Sequence, residues 1–226
     1  MSLRKFYELK GKHAKLSPSQ AGRWAVKDLK PDDIFRMINS SYAQQIGTLL
    51  HAYAEQNIKY CIKMIKSDKK EVRKFLLQNG LSEKIVSYYI DQSYDNLMAY
   101  TNDAIGFRME PEVELCYSAT PMSVFKLHDS MPPIFGTADA ICFRNNLLRI
   151  HDLKTGILPA HMEQLLTYAA LFCLQERIKP GQIDIELRIY QSNEIIVHNP
   201  AVDEILPIMD RIIAYDKMLT KYLLEE

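Results

Sequence analysis

Asp139, Asp152 and Lys154 are two carboxylates 13 positions apart and a lysine two residues after the second. A hard divalent cation such as magnesium takes several oxygen ligands and keeps some of its waters. It acidifies one of them and neutralises charge developing on a phosphate. A lysine aimed into the same space orients the attacking water or stabilises the crowded transition state. Two acids and a lysine are therefore the equipment of metal-assisted phosphodiester hydrolysis.

Strand alternation puts these residues where their charge needs a reason. In Leu147–Lys154 the even positions Leu148, Ile150, Asp152 and Lys154 share a face, so an acid and a base end a row that begins apolar. In the preceding run, alternation places Asp139 with Ile141 and Phe143. A charge on a core-facing row is costly unless it is paired or holds a metal.

The surrounding elements follow from periodicity. Ile46, Leu49, Leu50, Tyr53, Ala54, Ile58, Ile62 and Ile65 recur at three- and four-residue steps and predict an amphipathic helix over 46–65. Further helices are expected over about 69–79 and 82–104, with Gly80 between them. From about residue 108 the runs Val113–Tyr117, Val124–His128, Ile134–Phe143 and Leu147–Leu153 predict an antiparallel meander broken at Pro121, Pro132-Pro133 and Asn145-Asn146. Pro159 suits the start of a helix reaching about 177. Strands Ile183–Gln191 and Glu194–His198 follow, and a helix over about 202–224 closes the chain. The order predicts a mixed α/β (α+β) fold with a central mixed β-sheet flanked by helices. We expect one domain over 1–226: a mostly helical part over 1–105, a β-rich core over 106–200 and a C-terminal helix over 201–226.

Composition narrows the class. With 47% hydrophobic and 25% charged residues the chain reads as an ordinary globular protein, and it has no long apolar run or signal-like N-terminus. The expected compartment is the cytoplasm, with no membrane partner. Cys61, Cys116, Cys142 and Cys173 lie 55, 26 and 31 positions apart without a C-x-x-C pair, and read as reduced core residues. The net charge is zero but uneven: 1–30 hold eight bases against two acids, 59–74 seven against two, and 82–117 seven acids against two bases. That pattern fits a basic track beside an acidic, metal-attracting cleft, and equally well two solvated helix faces.

Gly136-Thr137-Ala138-Asp139, Asp152-Leu153-Lys154-Thr155-Gly156 and Gln164-x-x-x-Tyr168 together resemble the PD-(D/E)XK nuclease superfamily, specifically its RecB-like exonuclease branch. Gly47-Thr48-Leu49-Leu50-His51, with Glu55 one turn later, is similar to that branch's upstream helical histidine, and His13–Ser19 resembles the opening of phage-encoded members. The resemblance implies a restriction-endonuclease-like core with Asp139 and Asp152 as metal ligands, joined by the Leu153 carbonyl and His51. It implies Lys154 as catalytic base or charge stabiliser, and Gln164 and Tyr168 contacting DNA or positioning Lys154. Glu114 is a secondary acid on the strand before, as is Glu112. The implied cofactor is Mg2+ or Mn2+. An iron–sulfur cluster is not expected, because no cysteine follows Cys173.

An Asp-x-Lys triplet alone is usually a solvated strand end, and a lone helical histidine such as His51 is usually structural. The ordered set reverses those odds, whereas His128, His151, His161 and His198 lack such support. The expected activity is a metal-dependent DNA exonuclease of the phage or bacterial recombination, repair or processing kind. Its partners are DNA and a single-strand annealing or recombination protein, and a homo-oligomer is open. Two alternatives stand beside it: a non-catalytic DNA-binding or scaffold protein, and an endonuclease on the same core.

Overall fold

The computed structural model describes Glu8, residues 41–156 and residues 160–224. The elements are α1 (Ser41–Lys59), α2 (Lys69–Gln78), α3 (Glu83–Gly106), β1 (Glu110–Tyr117), α4 (Met122–Leu127), β2 (Ile134–Arg144), β3 (Leu147–Leu153), α5 (Glu163–Glu176), β4 (Asp184–Gln191), β5 (Glu194–His198) and α6 (Val202–Leu224). The His13–Ser19 stretch, most of the basic N-terminal segment and Pro159 lie outside the described residues.

The five strands form one sheet in the order β1-β2-β3-β4-β5. Neighbours pair antiparallel except β3 and β4, which run parallel. Connections dictate this. Asn145-Asn146 and Ser192-Asn193 join their strands with all four φ angles positive, at 51°, 59°, 53° and 61°. Two left-handed residues in a row are what a two-residue hairpin needs to match strand twist. Between β3 and β4 the chain instead runs through α5, long enough to carry it back to the starting edge for a parallel pairing.

Each face of the sheet has its own core. Leu148 and Ile150 of β3 pack with Leu165, Phe172, Ile205 and Ile212 of α5 and α6. Leu153 of the same strand packs with Leu50, Ala54, Leu97 and Tyr100 of α1 and α3 on the other side. Helix α5 is buried almost all round because it lies between the sheet and α6.

Four expectations are corrected. Helix α1 stops at Lys59, and Ile62 and Ile65 are 55% and 60% exposed, so the helical spacing over 46–65 overran the true end. Cys61 follows that end with φ 54° and is exposed, whereas the other three cysteines are buried. The run Val124–His128 falls in the short helix α4, entered from Pro121, and only Phe125 is buried there. Helix α5 begins at Glu163, later than Pro159 suggested. Among the described residues, no helix is long and apolar enough to cross a membrane.

Candidate metal centre

The site forms where β2 and β3 part. Their ladder ends at the pair Ala140↔His151. One step beyond, the Leu153 N–H donates to Asp139 Oδ2 at 2.9 Å, so a side chain takes over where the backbone pairing stops. Leu153, expected through its carbonyl, is thus tied into the site through its amide.

Alternation along β2 breaks at Asp139. Ala138 belongs to the core under α5 and Ala140 to the core under α1, although two residues apart should share a face. The Asp139 carboxylate therefore meets α1, with His51 Nδ1 at 3.4 Å from Oδ2. Ile141, predicted as its face-mate, packs on the opposite side. The interruption is shared with β1: the register pairs Pro111 with Ala140 and Val113 with Ala138 but skips Glu112 opposite Asp139. Glu112 has φ 53°, a left-handed conformation that costs a non-glycine residue about 1–3 kcal/mol and that collects at functional sites.

That conformation brings in the third donor. Single ligand atoms of His51, Glu112 and Asp139 all lie within 4.8 Å of one another. An imidazole and two carboxylates make a donor set for a divalent cation of the Mg2+/Mn2+ class. Two carboxylate charges at such a distance repel by roughly 3 kcal/mol at an effective dielectric of about 20. Accordingly, burial and then the neighbouring Asp139 push the Glu112 carboxyl up to about 7.

Asp152, an expected ligand that is only 2% exposed, lies outside this three-residue group but near enough for the Asp139 charge to act on its carboxyl. Burial and then Asp139 raise its carboxyl, with Lys154 pulling partly the other way. Its Oδ1 accepts from Lys154 Nζ at 2.9 Å. Its Oδ2 is buried without a hydrogen-bond partner among the described residues. An orphan carboxylate oxygen in the interior is costly, and a cation beside it would remove the cost.

Lys154 is held from two sides, since Nζ also donates to Gln164 Oε1 at 2.9 Å. Gln164 Nε2 lies 3.5 Å from Tyr168 Oη, which donates to the Thr137 carbonyl at 2.6 Å. Gln164 and Tyr168 thus sit one turn apart on α5 as a brace for Lys154. Burial would lower the lysine, but Asp152 and Asp139 outweigh it and its pKa is raised. It is therefore an ammonium at neutral pH, which suits charge stabilisation better than base catalysis.

Of the remaining expected residues, Glu55 is ion-paired with Lys59 within α1 and lies outside the donor group. Glu114 is buried on β1 and also lies outside it. Two contributors escaped the sequence pattern. Gln191 donates to the Gly156 carbonyl at 2.6 Å and accepts from the Ala160 N–H at 2.8 Å, clamping both ends of the segment that follows Lys154. Gly47 lies where a Cβ would come within 3.1 Å of Thr155 Oγ1, so its bareness lets α1 approach the end of β3.

A family model described as "Protein of unknown function (DUF2800)" matches residues 13–192. The chain belongs to the DUF2800 family. The matched span contains every residue placed in the centre, from Gly47 to Gln191, and ends within the β4–β5 turn. That description names no chemistry, so a functional reading rests on the geometry above.

Proposed function

We propose that the chain is a metal-dependent deoxyribonuclease that hydrolyses phosphodiester bonds, acting on DNA ends as an exonuclease in recombination, repair or processing. The observation that carries this reading is the convergence of His51, Glu112 and Asp139 within 4.8 Å, beside an Asp152 whose Oδ2 is buried and unpartnered. His51, Glu112 and Asp139 would hold Mg2+ or Mn2+, with Asp152 Oδ2 as a further oxygen. When bound, the ion supplies an acidified water and neutralises phosphate charge.

The chain's own residues do the rest. Lys154, fixed as an ammonium by Asp152 and Gln164, offers positive charge to the phosphate as negative charge develops on its oxygens. Tyr168, anchored on Thr137, keeps Gln164 and so Lys154 from drifting. The exposed lysines 59, 63, 66, 70 and 74 begin at the far end of α1, about 12 Å along the axis from His51, and provide a track for a phosphate backbone. The compartment in this reading is the cytoplasm of the cell that holds the DNA.

The scaffold alternative is met by calorimetric titration with Mn2+: saturable binding lost in Asp139→Ala supports the enzyme, and no binding supports the scaffold. End-labelled linear DNA compared with covalently closed circles separates the modes of cutting. Degradation confined to linear DNA supports the exonuclease, and cutting of circles turns the reading to an endonuclease.

A further inference from the structure

Strand β5 forms one edge of the sheet. Soluble proteins usually blunt such an edge with lysine, proline, a bulge or an inward charge, because its open N–H and C=O groups invite another strand. β5 reads Glu194-Ile195-Ile196-Val197-His198 and pairs with β4 without interruption from Gln191↔Glu194 to Leu187↔His198. Apart from its shortness and the Glu194 carboxylate at its start, it carries no lysine, proline or bulge. Ile195, Ile196 and Val197 are 44%, 43% and 49% exposed.

The edge is held rigid. Asn96 of α3 accepts from the Asn193 N–H at 2.6 Å and donates to the Glu194 carbonyl at 3.0 Å, pinning the hairpin where β5 begins. A two-residue hairpin closes on a hydrogen-bonded pair, here Gln191↔Glu194, and such pairs then alternate. Glu194, Ile196 and His198 therefore turn their backbone groups toward β4, and Ile195 and Val197 turn theirs outward.

We infer that β5 pairs antiparallel with β5 of a second copy of this chain about a two-fold axis at Ile196, making one ten-stranded sheet. The sequence is self-complementary in that register. Ile195 meets Val197 of the other copy as a hydrogen-bonded pair, Ile196 meets itself on the axis, and Glu194 faces His198 at both ends, where each imidazole stays paired with Glu204 of its own chain at 2.9 Å. In this register the three central positions of each copy oppose only β-branched apolar residues of the other. A strand of another sequence would gain the same backbone bonds but not this run of opposed β-branched pairs. A single five-residue strand offers little area against the roughly 1,200–2,000 Å2 of a stable interface, so the dimer is expected to be concentration-dependent. The contact lies on the side of the sheet away from β1 and does not depend on the nuclease reading.

Sedimentation equilibrium of the full chain tests it, with Ile196→Lys and Val197→Pro beside the unaltered protein. The lysine sets two like charges on the axis, and the proline removes an outward N–H that β4 does not use. The unaltered chain is expected to pass from monomer to dimer as concentration rises, and both variants to stay monomeric with unchanged far-UV circular dichroism. Amide exchange at Ile195 and Val197 in the unaltered chain should slow with concentration, a readout that needs no variant to fold. A chain monomeric up to its solubility limit, with exchange independent of concentration, overturns the inference, as does dimerisation of both folded variants.

Discussion

Glu112 stands opposite Asp139 in the β1–β2 register, at the position both strands leave unpaired, and its left-handed backbone places its carboxyl with Asp139 and His51. Two acids are brought together there at the cost of backbone strain and of a lost ladder position. A fold that needed only stability would put an apolar pair at that point.

The first consequence concerns Glu112→Gln. Its folded pKa of about 7 lies above the ordinary carboxyl value of 4.5, so a penalty on the metal-free fold builds as pH rises through that interval, is complete above about 7 and vanishes below about 4.5. The variant is expected to be more stable than the parent at about pH 8 without metal, by on the order of 2 kcal/mol. It should also lose most of the thermal stabilisation by Mn2+. Thermal melts with and without Mn2+ at two pH values check both; equal Mn2+ stabilisation in the variant would remove Glu112 from the donor set.

A second expectation separates chemistry from folding. Lys154→Ala and Asp152→Asn should each lower metal-dependent DNA hydrolysis by about 100-fold or more while leaving a folded protein. Initial rates on linear DNA, alongside circular dichroism, report the two properties independently. Full activity in either variant contradicts the assigned roles.

Tyr168→Phe removes one hydroxyl and its bond to the Thr137 carbonyl. The expected loss of stability is about 1 kcal/mol, because one buried acceptor goes unpaired. Activity should fall further than that stability change explains, through kcat with KM little altered, because Gln164 and Lys154 lose their anchor. A variant impaired only in KM would reassign Tyr168 to DNA contact.

The acid side of the stability curve should carry the signature of His151. This imidazole is buried, and burial followed by the Arg188 and Arg149 charges lowers its pKa to about 3. Tyr190 Oη donates to Asp103 Oδ2 at 2.7 Å and lies 3.2 Å from His151 Nδ1, so the ring is held neutral with its proton on Nδ1. A base whose folded pKa is depressed contributes stability that is whole above its unfolded value near 6.5 and drains away as pH falls toward 3. Between about pH 7 and pH 5 the parent should therefore lose about 2 kcal/mol more than His151→Phe. Urea unfolding at the two pH values measures the difference; equal losses refute it.

Much of this centre could be read from residue type and spacing. Asp152 and Lys154 end an alternating strand, and Gln164 and Tyr168 lie one turn apart on the next helix. Such local periodicities survive folding unchanged. Glu112 and Glu114 lie two residues apart on β1, so alternation alone does not favour Glu112, and only its left-handed turn distinguishes it. Simple alternation likewise assigns Asp139 the face of Ile141. The parallel pairing of β3 with β4 depends on the path of α5, which no short window contains. Val124–His128 has the composition of a strand, yet among the described residues no strand pairs with it, and the entry from Pro121 turns it into a helix. Gln191 and Gly47 act through contacts with residues 35 and 108 positions away, beyond any motif.

The central claim is that this centre cuts DNA with a bound divalent cation. End-labelled linear duplex DNA incubated with the purified chain in Mn2+, in EDTA and with Lys154→Ala in Mn2+ measures it directly. Labelled nucleotides are expected only from the unaltered chain with Mn2+. Intact DNA in all three reactions, or degradation that persists in EDTA or with Lys154→Ala, contradicts it.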